Sequence, residues 1–270
     1  MNSKDYREAF RGLSFSKDFQ EQTVELLIRQ TGQSHEKEHE AMHTRRFGKA
    51  AVLIAAAAAL LAVSVSAAVL LLSPKEVAER IEDPVLAAAL EGEDAVELNE
   101  AVESGGYRIT LAGMVSGEDL SAYEQVLNGE VVKDRTYVVA TVARADGISL
   151  EEQPDELTFT PLVGGYPVQQ VNIWTMGGGL SSFVQDGVAY YIMDTRNLEM
   201  FADHRVYLAV YEGGIPTADT FDAAPDGTIS FTDGAEGSKA LFTLPLNPDS
   251  ADPKAVERFL ENYEAGFARS

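Results

Sequence analysis

The stretch that most constrains this chain is Ala50–Leu72, AAVLIAAAAALLAVSVSAAVLLL, 23 consecutive residues without a charge. As a helix it would reach about 34 Å, enough to cross a hydrocarbon core of about 30 Å. Alanine and leucine dominate it, and both are strong helix formers. Its polar side chains are Ser64 and Ser66, whose hydroxyls can bond back to a carbonyl one turn earlier. Two other readings compete. A core helix of a soluble domain rarely runs so long without a charge. Val65-Ser66-Ala67 looks like a signal cleavage site, but 49 residues precede the run and its apolar length exceeds a typical signal core. The sequence therefore predicts one transmembrane helix within residues 46–72. Arg45, Arg46 and Lys49 crowd its N-terminal side, while Lys75 and Arg80 are sparser beyond it. That asymmetry predicts a single-pass protein of the cell membrane, with a cytoplasmic N-terminus and an extracytoplasmic C-terminal domain.

The charge is unevenly placed about this run. Before Ser73 there are 9 Lys plus Arg and 8 Asp plus Glu; from Ser73 onward there are 12 and 35. The C-terminal part thus carries −23 of a total of −22, the remainder being +1. Such a surface repels phosphate backbones and excludes nucleic acid as its partner. The chain has no cysteine, which excludes disulfides, thiolate metal sites and cysteine nucleophiles.

Residues 1–45 read as a short cytoplasmic helical segment. Tyr6, Phe10 and Leu13 recur at helical spacing, and Ser16 can cap a second helix with Phe19, Thr23, Leu26 and Leu27 on one face. The pair is too small to bury a core alone, so its apolar face wants a partner. Phe10, Phe15, Phe19, Leu26 and Leu27 are the expected partner-binding residues. His35, His39 and His43 would stack on one helical face, a spacing that can hold a metal, but a charged spacer entering the membrane is the preferred reading. No metal or cofactor is therefore expected.

Beyond the span, Ser73-Pro74 is a helix start, and Asp83-Pro84 interrupts a helical pattern that continues to Leu90. Residues 73–104 read as a stalk. From about residue 96 the period changes to two: Tyr107, Ile109 and Leu111 alternate, as do Tyr137, Val139 and Thr141. Further strands are expected at 157–159, 171–174, 183–193 with an Asp186-Gly187 turn, 205–211, 228–231 and 240–244. Ser121–Leu127 reads as a small helical insertion. Residues 105–270 are thus expected to form a mainly-β, immunoglobulin-like sandwich closed by a C-terminal helix from Pro253, with Val256, Phe259, Leu260, Tyr263 and Phe267 on one face.

No catalytic signature stands out. Gly177-Gly178-Gly179 lacks the lysine and helix of a phosphate loop, and no G-x-S-x-G occurs. Asp222, Asp226 and Asp233 mark turns, and His204 reads as structural. Trp174, Tyr190, Tyr191 and Tyr207 are expected in the core or on a sheet face.

The layout resembles a group of bacterial single-pass, anti-sigma-factor-like membrane proteins with an extracytoplasmic domain of unknown function. The segments that carry the likeness are DYREAFRGLSFSKDF, NEAVESGGYRITLAGMVS, VAYYIMDTRNLEMFADHRVYLAVYEG and KALFTLPLNPDSADPKAVERFL. Together they span about a third of the chain. The resemblance implies a sandwich outside and regulatory or sensing work. The leading reading is a membrane-bound regulator whose inner helices hold a cytoplasmic partner such as a sigma factor and whose outer domain senses or binds an envelope ligand. It supplies no catalytic residues. The alternative is a non-enzymatic envelope binding or structural module whose N-terminal tail only sets topology.

Overall fold

The computed structural model describes residues 71–127, 129–154 and 157–267. These residues are mainly antiparallel β-structure with a C-terminal helix. No helix among them is long and apolar enough to cross a membrane, and nearly all of the apolar run lies outside them.

Two sheets face each other. The larger joins β1 (Val96–Ser104), β2 (Tyr107–Glu118), β5 (Asp134–Arg144), β8 (Val188–Arg196) and β7 (Gly179–Gln185), in the order β1-β2-β5-β8-β7. The smaller joins β12 (Lys239–Thr243), β9 (Val206–Glu212) and β6 (Leu157–Val163), in the order β12-β9-β6. Two ribbons complete the β-structure, β3 (Val126–Leu127) with β4 (Glu130–Val131), and β10 (Phe221–Ala223) with β11 (Ile229–Phe231). Local chemistry fixes the tight hairpins. Gly105-Gly106 and Asp186-Gly187 both sit at positive φ in two-residue turns, whose twist matches that of the strands they join.

Alternation then sorts the side chains into layers. Val138, Ala140 and Val142 of β5 and Ala189, Tyr191 and Met193 of β8 face Phe159, Val163, Leu208, Val210 and Phe242 across the sandwich. The opposite parity, Tyr137, Val139, Tyr190 and Ile192, forms a second core. One slip of register would exchange the two sets. In β2 the exchange occurs by design of the strand: the ladder shifts between Leu111 and Gly113, leaving Ala112 as an extra residue. Ile109 and Leu111 face the inner core before the bulge, and Met114 faces it afterwards.

The second core is covered by α1 (Pro74–Arg80) and α2 (Pro84–Ala89), and here the structure departs from a stalk. Val77, Ala78, Leu86, Ala87 and Leu90 are buried against β2, β5 and β8. Each of Arg135–Val142 is consequently buried, because both faces of β5 are covered. Val96–Ser104 is an edge strand of the large sheet. The periodicity of 73–104 was that of a packed helical pair and a strand; an isolated stalk would have had no surface to bury its apolar face against.

Two further expectations give way. Ser121–Leu127 forms bends leading into β3, with no helix. Val171–Trp174 lies in successive turns, organised by the buried Asn172, whose Oδ1 accepts from the amides of Trp174 and Thr175 at 3.1 and 3.2 Å. Asparagine's affinity for local turns overrides the β-propensity of its neighbours. The expected strands at 157–159, 183–193, 205–211, 228–231 and 240–244 overlap β6, β7–β8, β9, β11 and β12.

The outer face of the small sheet is sealed by the β10–β11 ribbon through Phe221, Ile229 and Phe231, packed on Tyr207 and Tyr211. Burial pushes the Tyr191 and Tyr211 phenols up to about 12. Both groups favour their neutral form in the fold, so that stability is fully present below the unfolded value of about 10 and is lost as pH rises through about 12. An absorbance titration should show Tyr191 and Tyr211 ionising late, near pH 12, and unfolding should set in between these limits. Ionisation of Tyr191 and Tyr211 near pH 10 would contradict this packing.

The C-terminal helix α3 spans Pro253–Phe267. Asp252 caps it, its Oδ1 accepting from the Lys254 and Ala255 amides at 3.0 Å. Val256 and Phe259 are buried, with Phe259 edge-on to Phe201 at 6.1 Å between ring centroids. Phe201 belongs to the 3-10 turn Leu198–Phe201 that follows β8. That contact places one face of α3 beside the end of the large sheet.

Candidate functional site

The chemistry of the described residues gathers at the end of the large sheet where β5 begins and β8 stops. Arg135 and Arg196 are direct cross-strand partners there, so two like charges lie side by side. Arg135 is almost fully buried, its side chain 2% exposed. Its Nη2 donates to the Asp194 carboxylate and to the Gly177 carbonyl, the latter at 3.1 Å. Its Nε and Nη1 have no hydrogen-bond partner among the described residues. Asp194 lies two residues before Arg196 on β8, and its Oδ2 is engaged by Arg135.

Arg196 is therefore left differently. It is half-buried and makes no hydrogen bond or ion pair through its guanidinium among the described residues. Burial, and then the like charge of Arg135, press its pKa below the ordinary arginine value, while Glu130 opposes them from a distance. Arginine cannot relieve such an environment by losing its proton, so the charge persists.

Arg196 lines a cleft of about 610 Å³ between α3, the 198–201 turn and the β3–β4 ribbon. That volume lies in the range of small-molecule sites. Met200 and Phe259 give the cleft an apolar wall; Thr175, Asn197 and Asn262 give it neutral polar groups. Glu130, Asp134 and Asp252 supply acids, and Arg258 a second cation, 3.9 Å from Asp252. Asn197 is held in place, its Nδ2 donating to Asp134 Oδ1 at 2.7 Å. Thr175 stands next to Trp174, which is 48% exposed on the Asn172 turn rather than in the core. Tyr190, Tyr191 and Tyr207 are buried in the sheets.

A second polar cluster lies behind the same sheet end. Asp83, 1% exposed at the start of α2, accepts from the Leu86 and Ala122 amides at 3.0 Å and from the Ser121 hydroxyl. It thereby pins the 119–133 segment to the helical pair. Between that segment and Arg135 is a small cavity of about 30 Å³, room for little more than water.

The residues singled out from sequence fall elsewhere. Phe10, Phe15, Phe19, Leu26 and Leu27 lie outside the described residues, as do His35, His39 and His43. His204 packs edge-on to Tyr166 at 5.1 Å and lies 3.6 Å from Asp203. Asp226 Oδ1 accepts from the Thr228 amide, and this bond holds its carboxyl below the ordinary range. Gly177, at φ +60°, leads through Gly178 into β7, and Leu127 presses so close that a Cβ on Gly177 would lie 2.3 Å from it. Among the described residues no three His, Asp or Glu side chains converge as a metal would require. Sequence reading missed Arg135, Arg196 and the cleft. The available signal was an arginine near the start of a strand with no further charge before Arg144, Arg135-Thr136-Tyr137-Val138-Val139.

No family model, no curated protein and no solved structure matches this chain.

Proposed function

We propose that this chain is a non-enzymatic, membrane-anchored regulator. Its cytoplasmic helices hold a partner such as a sigma factor, one helix crosses the bilayer, and an outer, immunoglobulin-like β domain binds or senses at the cell envelope. The layout of the chain and its resemblance to anti-sigma-factor-like proteins support this reading. The structural observation that carries it is where the folded domain starts. Ser73, the residue after the apolar run, already caps α1 in a reciprocal capping box with Glu76. The Leu72 amide donates to the Tyr190 hydroxyl at 3.2 Å, inside the large sheet's second core. No linker separates the end of the run from packed structure, so displacement of the sheet is coupled to the residue that leaves the run. A passive anchor would have no use for that coupling.

The experiment is a paired pull-down with residues 1–45. Burying one large apolar side chain contributes about 1.5–3 kcal/mol, and 1.4 kcal/mol is about tenfold in affinity. Phe19→Ala combined with Leu26→Ala should therefore weaken capture of a cytoplasmic protein by at least two orders of magnitude. Arg7→Ala should leave it unchanged. If wild-type and doubly substituted segments recover the same proteins equally, or neither recovers any, the regulator reading fails. The envelope module with a topogenic tail then takes its place.

A further inference from the structure

We propose that the cleft beside α3 is the ligand site of the outer domain, and that it takes an amino-carboxylate, a free amino acid or a short peptide, with Arg196 receiving the carboxylate. This rests on the reading of the domain as a binding module and names its ligand class.

The argument starts from the two arginines. Asp194 pairs with Arg135, and Arg196 stands half-buried beside it with no acid within ion-pair distance among the described residues. A partly desolvated guanidinium of this kind forms strong, geometrically selective bonds to a carboxylate. Phosphate or sulfate suits the cleft poorly. Glu130, Asp134 and Asp252 line it, and the part of the chain from Ser73 carries −23, so a multiply charged anion would meet like charges there. A ligand with an ammonium as well as a carboxylate matches both signs and brings no net charge. Met200 and Phe259 offer apolar surface to its side chain, and Asn262 offers an amide. The cleft, about 610 Å³, has room for more than a single amino acid.

Trp174, the chain's one tryptophan, adjoins the lining residue Thr175 and serves as a native reporter. Full-length protein in detergent micelles would be titrated with each standard amino acid, with the dipeptides Ala-Ala, Leu-Ala and Gly-Phe, and with inorganic phosphate. Calorimetry would follow every titration in parallel. The expected result is saturable binding of at least one amino acid or dipeptide with Kd below about 1 mM, and none of phosphate. Amidating the ligand's carboxylate should abolish binding, and Arg196→Gln should weaken it at least tenfold. Asn262→Phe, an exposed substitution on α3 that fills the cleft, should abolish binding even if Arg196→Gln impairs folding. Saturation by free amino acids identifies that source; saturation by dipeptides alone identifies peptide. The proposal is overturned if no probe saturates, if phosphate binds as well as the amino-carboxylates, or if Asn262→Phe binds like wild type. Ligand binding without capture of a partner by residues 1–45 would leave this site standing and remove the regulator reading; capture without ligand binding would do the reverse.

Discussion

Arg135→Ala is expected to destabilise the domain by about 3–5 kcal/mol, because it leaves the Asp194 carboxylate without its partner at a site largely closed to water. The double substitution Arg135→Met with Asp194→Leu should recover most of that loss. Replacing both members of a buried pair with apolar groups removes the desolvation cost along with the attraction. A double-mutant cycle by chemical denaturation measures the difference. Arg135 has an additional reason to be replaceable as part of a pair: its Nε and Nη1 are buried without partners among the described residues, so the guanidinium is incompletely compensated. A loss below about 1 kcal/mol for Arg135→Ala would place the pair in the range of exposed ion pairs and contradict its burial.

The second large effect is expected at Asp83. Asp83→Ala removes the cap of α2 and strands two amide donors and a hydroxyl, those of Leu86, Ala122 and Ser121. Each unsatisfied buried donor costs about 1–3 kcal/mol, and partial rescue by water brings the expected total to about 2–4 kcal/mol. Asp83→Asn keeps one accepting oxygen and remains a good N-cap, so its loss should be about half as large. Hydrogen exchange distinguishes local from global weakening. In Asp83→Ala the Leu86 and Ala122 amides should lose protection together, since one carboxylate holds both, while those of β5 keep theirs. Equal loss of protection across β5 would show that α1 and α2 unfold only with the sheet.

Much of the β-structure was legible because its strands alternate and its turns carry distinctive residues. Asp186-Gly187 and the alternating Tyr107, Ile109 and Leu111 are examples in which local chemistry and tertiary structure agree. Val171–Trp174 was misread because β-propensity says nothing of the one asparagine whose side chain closes a turn there. The helical pair at 74–89 was visible as helix, but its packing partner was not, since alternation in β5 hid the fact that both of its faces are buried. The cleft was illegible for a different reason. It is assembled from the ends of β4, β5 and β8 and from α3, spread over more than a hundred residues of the chain, and no spacing rule links Glu130 to Arg258. Arg196 is unremarkable in sequence; what distinguishes it is that its natural counter-ion, Asp194, belongs to another arginine.

The cover that α1 and α2 place on the large sheet also decides where this protein can be divided. The change of period near residue 96 is an inviting boundary, yet a cut there would pass through a single hydrophobic core. It would strip Val77, Leu86 and Leu90 from Val139, Tyr190 and Ile192, and expose one whole face of three central strands to solvent. Contiguous apolar surface of that kind drives self-association. A fragment begun at Ala95 would therefore be adhesive where the domain with its helical cover is not, and the boundary of the folded unit lies at Ser73, ahead of the first strand.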